Sequence, residues 1–135
     1  MHLEGFKQLG VNIVEEHGKI TCECEKLVGA DITLDFPSVG ATENIMLASS
    51  LAEGTTYIRN VAREPEIKDL QDFLNEMGAE VSGAGSNTIV VNGVKKLHSA
   101  THKVIPDRIE AGTYLCMAAA TKRRCGAKEC CSRTY

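Results

Sequence analysis

The residues best suited to chemistry in this sequence form a short polar turn, Ser38-Val39-Gly40, between a predicted strand and a predicted helix. Pro37 ends the strand, and the Ser38 hydroxyl is well placed to cap the helix that follows. The first N–H groups of a helix have no partner inside it, and a glycine lets another group approach the backbone closely. The turn therefore has two interpretations: a site for phosphate or another anionic or carbonyl-bearing ligand, or an ordinary helix cap.

The cysteines and histidines are the other side chains that could bind a metal ion or react. Two of the six cysteines fall in a predicted strand, one in a predicted helix and three near the end of the chain: Cys22, Cys24, Cys116, Cys125, Cys130 and Cys131. A metal site or disulfides formed by the strand and tail cysteines is one hypothesis. Their spacing is not the paired Cys-x-x-Cys of zinc sites, and we expect cytoplasmic thiols to stay reduced, so no metal site is predicted. The histidines show no ligand spacing and are predicted to be exposed: His2, His17, His98 and His102.

Hydrophobic periodicity predicts the helices and strands that position these residues. In chain order they are a helix over 1–10, strands over 11–14, 19–24 and 30–34, a helix from 41 to 51 or 52, a strand over 55–60, a helix over 65–77, strands over 80–82 and 88–91, a short strand over 103–105 and a helix opening at 106. The mixture of the two element types indicates an α+β fold.

The charge is distributed unevenly along the chain. From Lys122 onward there are five basic residues and one acidic residue, a net charge of +4, which leaves −7 before it because the whole chain carries −3. We interpret residues 122–135 as an aberrant basic, cysteine-rich tail that is disordered or foreign to the fold. No apolar run approaches the roughly 20 residues of a membrane span, and no basic stripe interleaved with aromatic residues indicates nucleic-acid binding. The first residues show no export signal, so we expect a cytoplasmic protein.

The order of predicted elements repeats along the chain. Leu9–Ile13 corresponds to Met77–Val81 with an offset of 68, and Pro37 corresponds to Pro106 with an offset of 69. A repeat of this length that mixes strands and helices predicts two βαβαββ-like units packed side by side. We place the units at approximately 1–65 and 66–121, and the second unit is incomplete. Its open apolar edge makes self-association an expectation.

Four stretches in order carry a family resemblance. They read Phe-Pro-Ser-Val-Gly-Ala-Thr-Glu-Asn-Ile-Met from Phe36, Leu-Ala-Glu-Gly-Thr-Thr from Leu51, Arg-Glu-Pro-Glu-Ile from Arg63 and Ile-Pro-Asp-Arg-Ile-Glu-Ala-Gly-Thr from Ile105. Together they resemble the UDP-N-acetylglucosamine enolpyruvyl transferase (MurA) family, a cell-wall branch related to the shikimate-pathway enolpyruvyl transferase. The similarity runs from Met1 to about Thr121. It implies the enolpyruvyl transferase fold, two inverted α/β-barrel-like lobes of three βαβαββ units each.

The resemblance also implies a reaction and its partners. The enolpyruvyl group of phosphoenolpyruvate moves to the sugar 3-hydroxyl of UDP-N-acetylglucosamine, phosphate is released, and no cofactor is expected. The Ser38-Val39-Gly40 turn matches the turn that contacts the UDP moiety. Glu64, Glu66, Asp107 and Arg108 match charged positions near the cleft between the lobes. For the three acids, stabilisation of a helix start by the helix dipole explains the same positions, whereas a cation in a first helical turn favours a cleft role for Arg108.

Several parts of the family pattern have no match in the chain. These are the loop with the reactive cysteine, the lysine–asparagine pair that precedes it and the second lobe, and none of the six cysteines matches the catalytic one. No catalytic residue is therefore predicted. We expect a truncated or frameshifted fragment without turnover of its own. A non-catalytic module that binds a sugar nucleotide or another protein is the alternative.

Overall fold

The fold is described from a computed structural model, which describes residues 1–128. The chain folds as two compact units, the first spanning Met1–His102 and the second beginning at Lys103. Predicted disorder over 129–135, together with Cys130 and Cys131, lies outside the described residues. None of the helices in the described part is long and apolar enough to cross a membrane.

The first unit contains three helices and six strands, and the described part of the second unit, up to residue 128, contains one helix. They are α1 (His2–Gln8), β1 (Asn12–Glu16), β2 (Lys19–Glu23), β3 (Asp31–Thr33), α2 (Val39–Ser49), β4 (Thr55–Arg59), α3 (Pro65–Glu76), β5 (Glu80–Ser82), β6 (Thr88–Asn92) and, in the second unit, α4 (Arg108–Ala120). The elements predicted between residues 1 and 92 are confirmed. The helix predicted from residue 41 begins two residues earlier because Ser38 is its N-cap.

Two sheets are formed in the first unit. Strands β1 and β2 make an antiparallel hairpin whose turn residues, His17 and Gly18, both have positive φ, as a tight hairpin with the right twist requires. The second sheet has the strand order β3-β4-β6-β5, with β3 and β4 parallel and the other pairs antiparallel. One complete βαβαββ order therefore runs from residue 31 to residue 92. This βαβαββ segment includes residues on both sides of residue 65. The predicted repeat boundaries at 1–65 and 66–121 therefore stay a prediction.

The core lies between this sheet and the helices. It is built from apolar residues that alternate along the strands and recur on the inner faces of α2 and α3: Ile32, Leu34, Ile45, Met46, Ile58, Ile67, Leu74, Val81, Ile89 and Val91. Burying one such side chain contributes about 1.5–3 kcal/mol. Helix α1 joins this core through Leu9, which is fully buried. The helix lies close to α2 because Gly5 faces Ile45, where a Cβ atom would stand 2.8 Å from Cγ1.

The second unit differs from its prediction at one point. The prediction of a strand over 103–105 was wrong, since in the described part of the chain these residues form no strand. Val104 is 72% exposed, so its apolar character does not reflect burial in a sheet. The helix predicted to open at residue 106 begins at Arg108, because Asp107 is its N-cap. Within the described residues it has no buried side chain.

Candidate functional site

The start of α2 holds the predicted Ser38-Val39-Gly40 turn. Ser38 is extended, with φ −118° and ψ 121°, and its Oγ accepts a hydrogen bond from the backbone N–H of Ala41 at 3.4 Å. Its carbonyl oxygen accepts from both the N–H and the Oγ of Thr42, at 3.0 and 2.7 Å. The capping role of Ser38 is thereby confirmed. The capping bond is long for an N–H···O bond and therefore weak, which leaves the helix start suited to a stronger, anionic acceptor.

The amino end of α1 borders this turn. Asn44 Nδ2 donates to the carbonyl oxygen of Gly40 at 2.8 Å and lies 3.0 Å from His2 Nδ1. The His2 ring lies over Gly40, because a Cβ atom at residue 40 would stand 3.2 Å from its Cε1. His2 is exposed, as predicted, but its position beside the turn was not foreseen. The motif that contains Asn44 was the only signal for this arrangement.

The start of α3 lies at the same edge of the sheet as the start of α2. Strands β3 and β4 are parallel, so the helices that follow them both begin at the carboxyl ends of these strands, which form one edge of the sheet. The loop before α3 is fixed to the first turn of α2, because the buried Thr42 Oγ1 accepts the N–H of Ala62 at 3.2 Å. Asn60, with φ 56°, donates from Nδ2 to the carbonyl oxygen of Leu34 at 2.9 Å and joins the ends of the two strands.

The β5–β6 turn completes this edge of the sheet. Arg59 of β4 pairs with Thr88 of β6, so the residues before Thr88 lie beside those after Arg59. Asn87 accepts the N–H of Val61 through its carbonyl oxygen at 3.4 Å, and the Arg63 guanidinium through Oδ1 at 3.2 Å. The edge therefore combines a helix start, a cation and three loops held together by hydrogen bonds.

Glu64 and Glu66 belong to the same edge. Glu64 is the N-cap residue of α3, Pro65 follows at the first position of the helix, and Glu66 lies in its first turn. The Glu64 carbonyl oxygen accepts the N–H of Ile67 at 3.0 Å. Both acids are half-buried. Their position at the positive end of α3 is the one that the helix dipole favours, and their role near a cleft stays a prediction.

Asp107 and Arg108 lie in the second unit, at the start of α4. Asp107 Oδ1 accepts the N–H of Ile109 at 2.8 Å and that of Glu110 at 3.0 Å, so Asp107 is the N-cap of this helix. Arg108 is the first residue of the helix. A cavity of about 320 Å³ lies beside this turn, lined by Pro106, Asp107, Glu110, Ala111, Tyr114 and residues 125–128.

Comparisons with known proteins identify the family. A family model described as EPSP synthase (3-phosphoshikimate 1-carboxyvinyltransferase) matches residues 1–131. The chain belongs to the EPSP synthase family. The predicted resemblance to an enolpyruvyl transferase is thereby confirmed.

Curated relatives point to one branch of the EPSP synthase family. UDP-N-acetylglucosamine 1-carboxyvinyltransferase 2 of Caldanaerobacter subterraneus subsp. tengcongensis is 62% identical over 122 residues. UDP-N-acetylglucosamine 1-carboxyvinyltransferase 1 of Carboxydothermus hydrogenoformans is 60% identical over 122 residues. Each match covers 90% of this chain and 29% of the relative, so the chain spans less than a third of the length of these proteins.

Solved structures confirm the predicted fold class. The enolpyruvyl transferase NikO from Streptomyces tendae matches with a TM-score of 0.73 and 26% identity, over 84% of this chain and 30% of that one. EPSP synthase from Acinetobacter baumannii matches with a TM-score of 0.64 and 25% identity, over 87% of this chain and 27% of that one. The α+β arrangement of the chain is therefore that of the enolpyruvyl transferases.

Two ionic clusters in this EPSP synthase family chain were not predicted. Arg59 donates from Nε and Nη2 to the two carboxylate oxygens of Asp31 at 2.7 and 2.8 Å, which lowers the pKa of Asp31 and raises that of Arg59. The His102 ring lies between two carboxylates, with Nε2 3.0 Å from Asp69 and Nδ1 3.2 Å from Glu76. These hydrogen bonds, the one with Asp69 first, raise the pKa of His102.

The prediction that His102 is exposed was wrong. Its side chain is only 12% exposed, because it packs beside Phe73 with the ring centroids 5.3 Å apart. Residues 69 and 76 lie on α3, about 30 positions before the histidine, so sequence spacing gave no signal for this cluster.

The cysteines described by the structure do not gather into a site. Cys22, Cys24, Cys116 and Cys125 are exposed thiols. Within residues 1–128, no group of three His, Cys, Asp or Glu side chains is arranged to hold a metal ion. The metal hypothesis also involved Cys130 and Cys131, which lie beyond those residues.

Proposed function

We propose that this chain is part of a UDP-N-acetylglucosamine 1-carboxyvinyltransferase acting in peptidoglycan precursor synthesis in the cytoplasm. The reaction moves the enolpyruvyl group of phosphoenolpyruvate to UDP-N-acetylglucosamine and releases phosphate. The identity of 57–62% to relatives that carry this enzyme's name, over 90% of the chain, supports the proposal. The more distant solved structures, at 25–26% identity, share the fold and the family chemistry.

The contribution of this chain is a binding site for the UDP moiety at the start of α2. The observation that carries this role is the geometry of the Ser38-Val39-Gly40 turn, whose own cap is a weak 3.4 Å hydrogen bond. The partial positive charge of a helix start, about half an elementary charge, and its N–H groups favour a diphosphate. The His2 ring, which lies over Gly40, and Asn44 form one wall of the site.

Charged residues at the starts of α3 and α4 are proposed as cleft residues of the whole enzyme. Glu64 and Glu66 stand at the edge of the sheet that carries the Ser38 turn, and Asp107 and Arg108 stand at the start of α4. Addition to an enol phosphate, followed by elimination of phosphate, needs cations for phosphate and carboxylate and a general acid–base pair. We assign Arg108 to the first task and leave the three acids as cleft residues. No residue of this chain is assigned as the catalytic acid, and we propose that the 135-residue chain alone has no turnover.

An NMR titration of the isotope-labelled chain with UDP-N-acetylglucosamine tests the binding role. We expect saturable shifts at the amides of Val39, Gly40 and Ala41, and unchanged signals from β5 and β6. N-acetylglucosamine without the nucleotide is the matched control ligand and should leave the turn unshifted, because it lacks the diphosphate. A well-dispersed spectrum whose turn signals do not move with the sugar nucleotide would contradict the assignment of the Ser38 turn.

Phosphate release from phosphoenolpyruvate, measured with UDP-N-acetylglucosamine present, tests the second part of the proposal. The expected rate is that of the mixture without protein. Release that depends on the purified chain would show that it holds a complete catalytic apparatus. Binding without release is the behaviour expected of the proposed substrate-binding part.

A further inference from the structure

The first unit ends in a segment, residues 93–102, that forms neither helix nor strand. We refer to residues 93–102 as the strap. The N–H of Val94 donates to the carbonyl oxygen of Ser50, directly after α2, at 2.9 Å. The N–H of His98 donates to the carbonyl oxygen of Met77, directly after α3, also at 2.9 Å. Backbone hydrogen bonds therefore hold the strap at its start and at its middle.

A side chain holds the far end of the strap. His102, its last residue, places Nε2 3.0 Å from Asp69 Oδ1 and Nδ1 3.2 Å from Glu76 Oε1. The ring also packs beside Phe73. The side chains of His102 and Asp69 are only 12% and 15% exposed, whereas Glu76 is 46% exposed. The end of the strap thus depends on one imidazole ring between two carboxylates.

The two contacts of the His102 ring require two protons on it. A carboxylate only accepts hydrogen bonds, and a neutral imidazole has one N–H and one nitrogen lone pair. Both ring nitrogens lie within hydrogen-bond distance of a carboxylate oxygen, so only the imidazolium donates to both. In the neutral ring, one lone pair would face a carboxylate and both acids would lose their counter-ion. The arrangement is therefore complete only when His102 is protonated.

Other charged groups near the ring have different partners. In the described part of the chain, the carboxylates that contact the ring are those of Asp69 and Glu76. Lys68 and Asp72, also on α3, pair with each other at 2.9 Å. The second histidine of the strap, His98, has its Nδ1 3.1 Å from the carbonyl oxygen of the next residue. The charge balance of the cluster therefore depends on the proton of the ring itself.

The cluster lies on the face of α3 that is turned away from the core. Asp69, Phe73 and Glu76 are spaced by four and three positions, so they share one face of the helix. Ile67 and Leu74 are buried in the core, and their positions fall on the opposite face at 3.6 residues per turn. Release of the ring would therefore leave the packing of α3 on the sheet intact.

We propose that His102 is a proton-operated latch, which fastens the end of the strap to α3 when protonated and releases it when deprotonated. The hydrogen bonds with Asp69 and then Glu76 raise the pKa of His102. A raised pKa in the fastened state means that the latch is fully stabilised below the ordinary value of about 6.5. That stabilisation is lost as the pH rises through the raised value, which places the switch near neutral pH.

Amide hydrogen exchange measured against pH by NMR tests the latch. The His98 amide reports on the strap, and the ring protons of His102 report its pKa in the same samples. Protection of His98 should stay level below about pH 6.5 and then fall by about tenfold per pH unit, because one proton is lost. The fall should end at the measured pKa of His102. The Tyr57 amide, bonded to the carbonyl oxygen of Ala30 at 2.8 Å in the sheet, reports opening of the whole unit and should stay more protected than His98.

Variants that remove one charge each identify the groups responsible. Asp69→Asn and Glu76→Gln keep the size of the side chain, and each should lower the pKa of His102 and shorten the fall in His98 protection. Asp69→Asn should have the larger effect, because Asp69 is the less exposed acid. Asp72→Asn is the matched control on the same helix and should behave as the wild type, since Asp72 pairs with Lys68.

Three results would each overturn the proposal. The first is His98 protection that does not change with pH, or whose fall does not end at the pKa of His102. The second is equal protection of His98 and Tyr57 at every pH, because the strap would then open only with the whole unit. The third is an Asp72→Asn control that acts like Asp69→Asn. If Asp69→Asn does not fold, as judged by lost protection at Tyr57, Glu76→Gln at the more exposed position still decides the test.

Discussion

The buried hydroxyl of Thr42 should stabilise the first unit by a calculable amount. Its Oγ1 accepts the N–H of Ala62 at 3.2 Å, and both residues are buried. Thr42→Val keeps the shape of the side chain but leaves that N–H without a partner, which costs about 1–3 kcal/mol. The added methyl group recovers about 0.8 kcal/mol. The Ser38 carbonyl keeps its bond from the N–H of residue 42, so we expect a net loss of roughly 0.2–2 kcal/mol in the free energy of unfolding.

Thr56 provides a control with the same substitution and the opposite expected sign. It is also fully buried, but its Oγ1 has no hydrogen-bond partner among the residues that the structure describes. Thr56→Val removes a buried, unsatisfied hydroxyl, and we expect it to raise the free energy of unfolding by about 1 kcal/mol.

Urea unfolding followed by circular dichroism measures both changes. The midpoint should fall for Thr42→Val and rise for Thr56→Val, with the same slope against urea concentration. Amide hydrogen exchange at Ala62 should quicken in the Thr42 variant alone. Equal midpoints for the two variants, or a stabilised Thr42→Val, would refute the assignment of the hydrogen bond between α2 and the loop before α3.

Three further predictions follow from particular contacts. The raised pKa of His102 means that its interactions with Asp69 and Glu76 stabilise the fold fully below the unfolded pKa of about 6.5, and that this stabilisation is lost as the pH rises through the folded value. Thermal melts from about pH 5 to 9 should show that loss, and His102→Gln should flatten it. Gly5→Ala should destabilise the chain by about 1–3 kcal/mol in urea melts because the new Cβ meets Ile45, whereas Gly112→Ala, with open space around it, should be neutral or stabilising. Asp107→Ala should cost α4 about 0.5–2 kcal/mol through the loss of its cap, measured by amide exchange at Ile109 and Glu110.

Local patterns in the sequence predicted the parts of the fold that local interactions determine. Ile32 and Leu34 alternate as a half-buried strand requires, Pro65 stands at the first position of α3, and Ser38 and Asp107 are caps. Each of these signals lies within a few residues of the element that it predicts. The helices and hairpins of residues 1–92 were found for this reason.

The parts that sequence reasoning missed depend on contacts between distant residues. Residues 103–105 have the composition of a strand, but a strand also needs a neighbour, and no local pattern supplies one. The contacts of His2 with Asn44, of Thr42 with Ala62 and of His102 with Asp69 join positions 20 to 42 residues apart. Only the folded topology brings these pairs together. The Ser38 turn could be located from its neighbours, whereas the residues that surround it could not.

The strand order of the four-stranded sheet sets the order in which the complete unit can close during synthesis. Strand β4 ends at Arg59, but its partner on one side is β6, which ends at Asn92. At a translation rate of about 5–20 residues per second, roughly 2–7 s pass between the emergence of the two strands. Throughout that interval the β4 edge is open to pairing with other chains. Nascent chains on neighbouring ribosomes of one messenger RNA can meet during this interval. They are therefore most prone to misassembly while the residues from α3 to β6 are being synthesised.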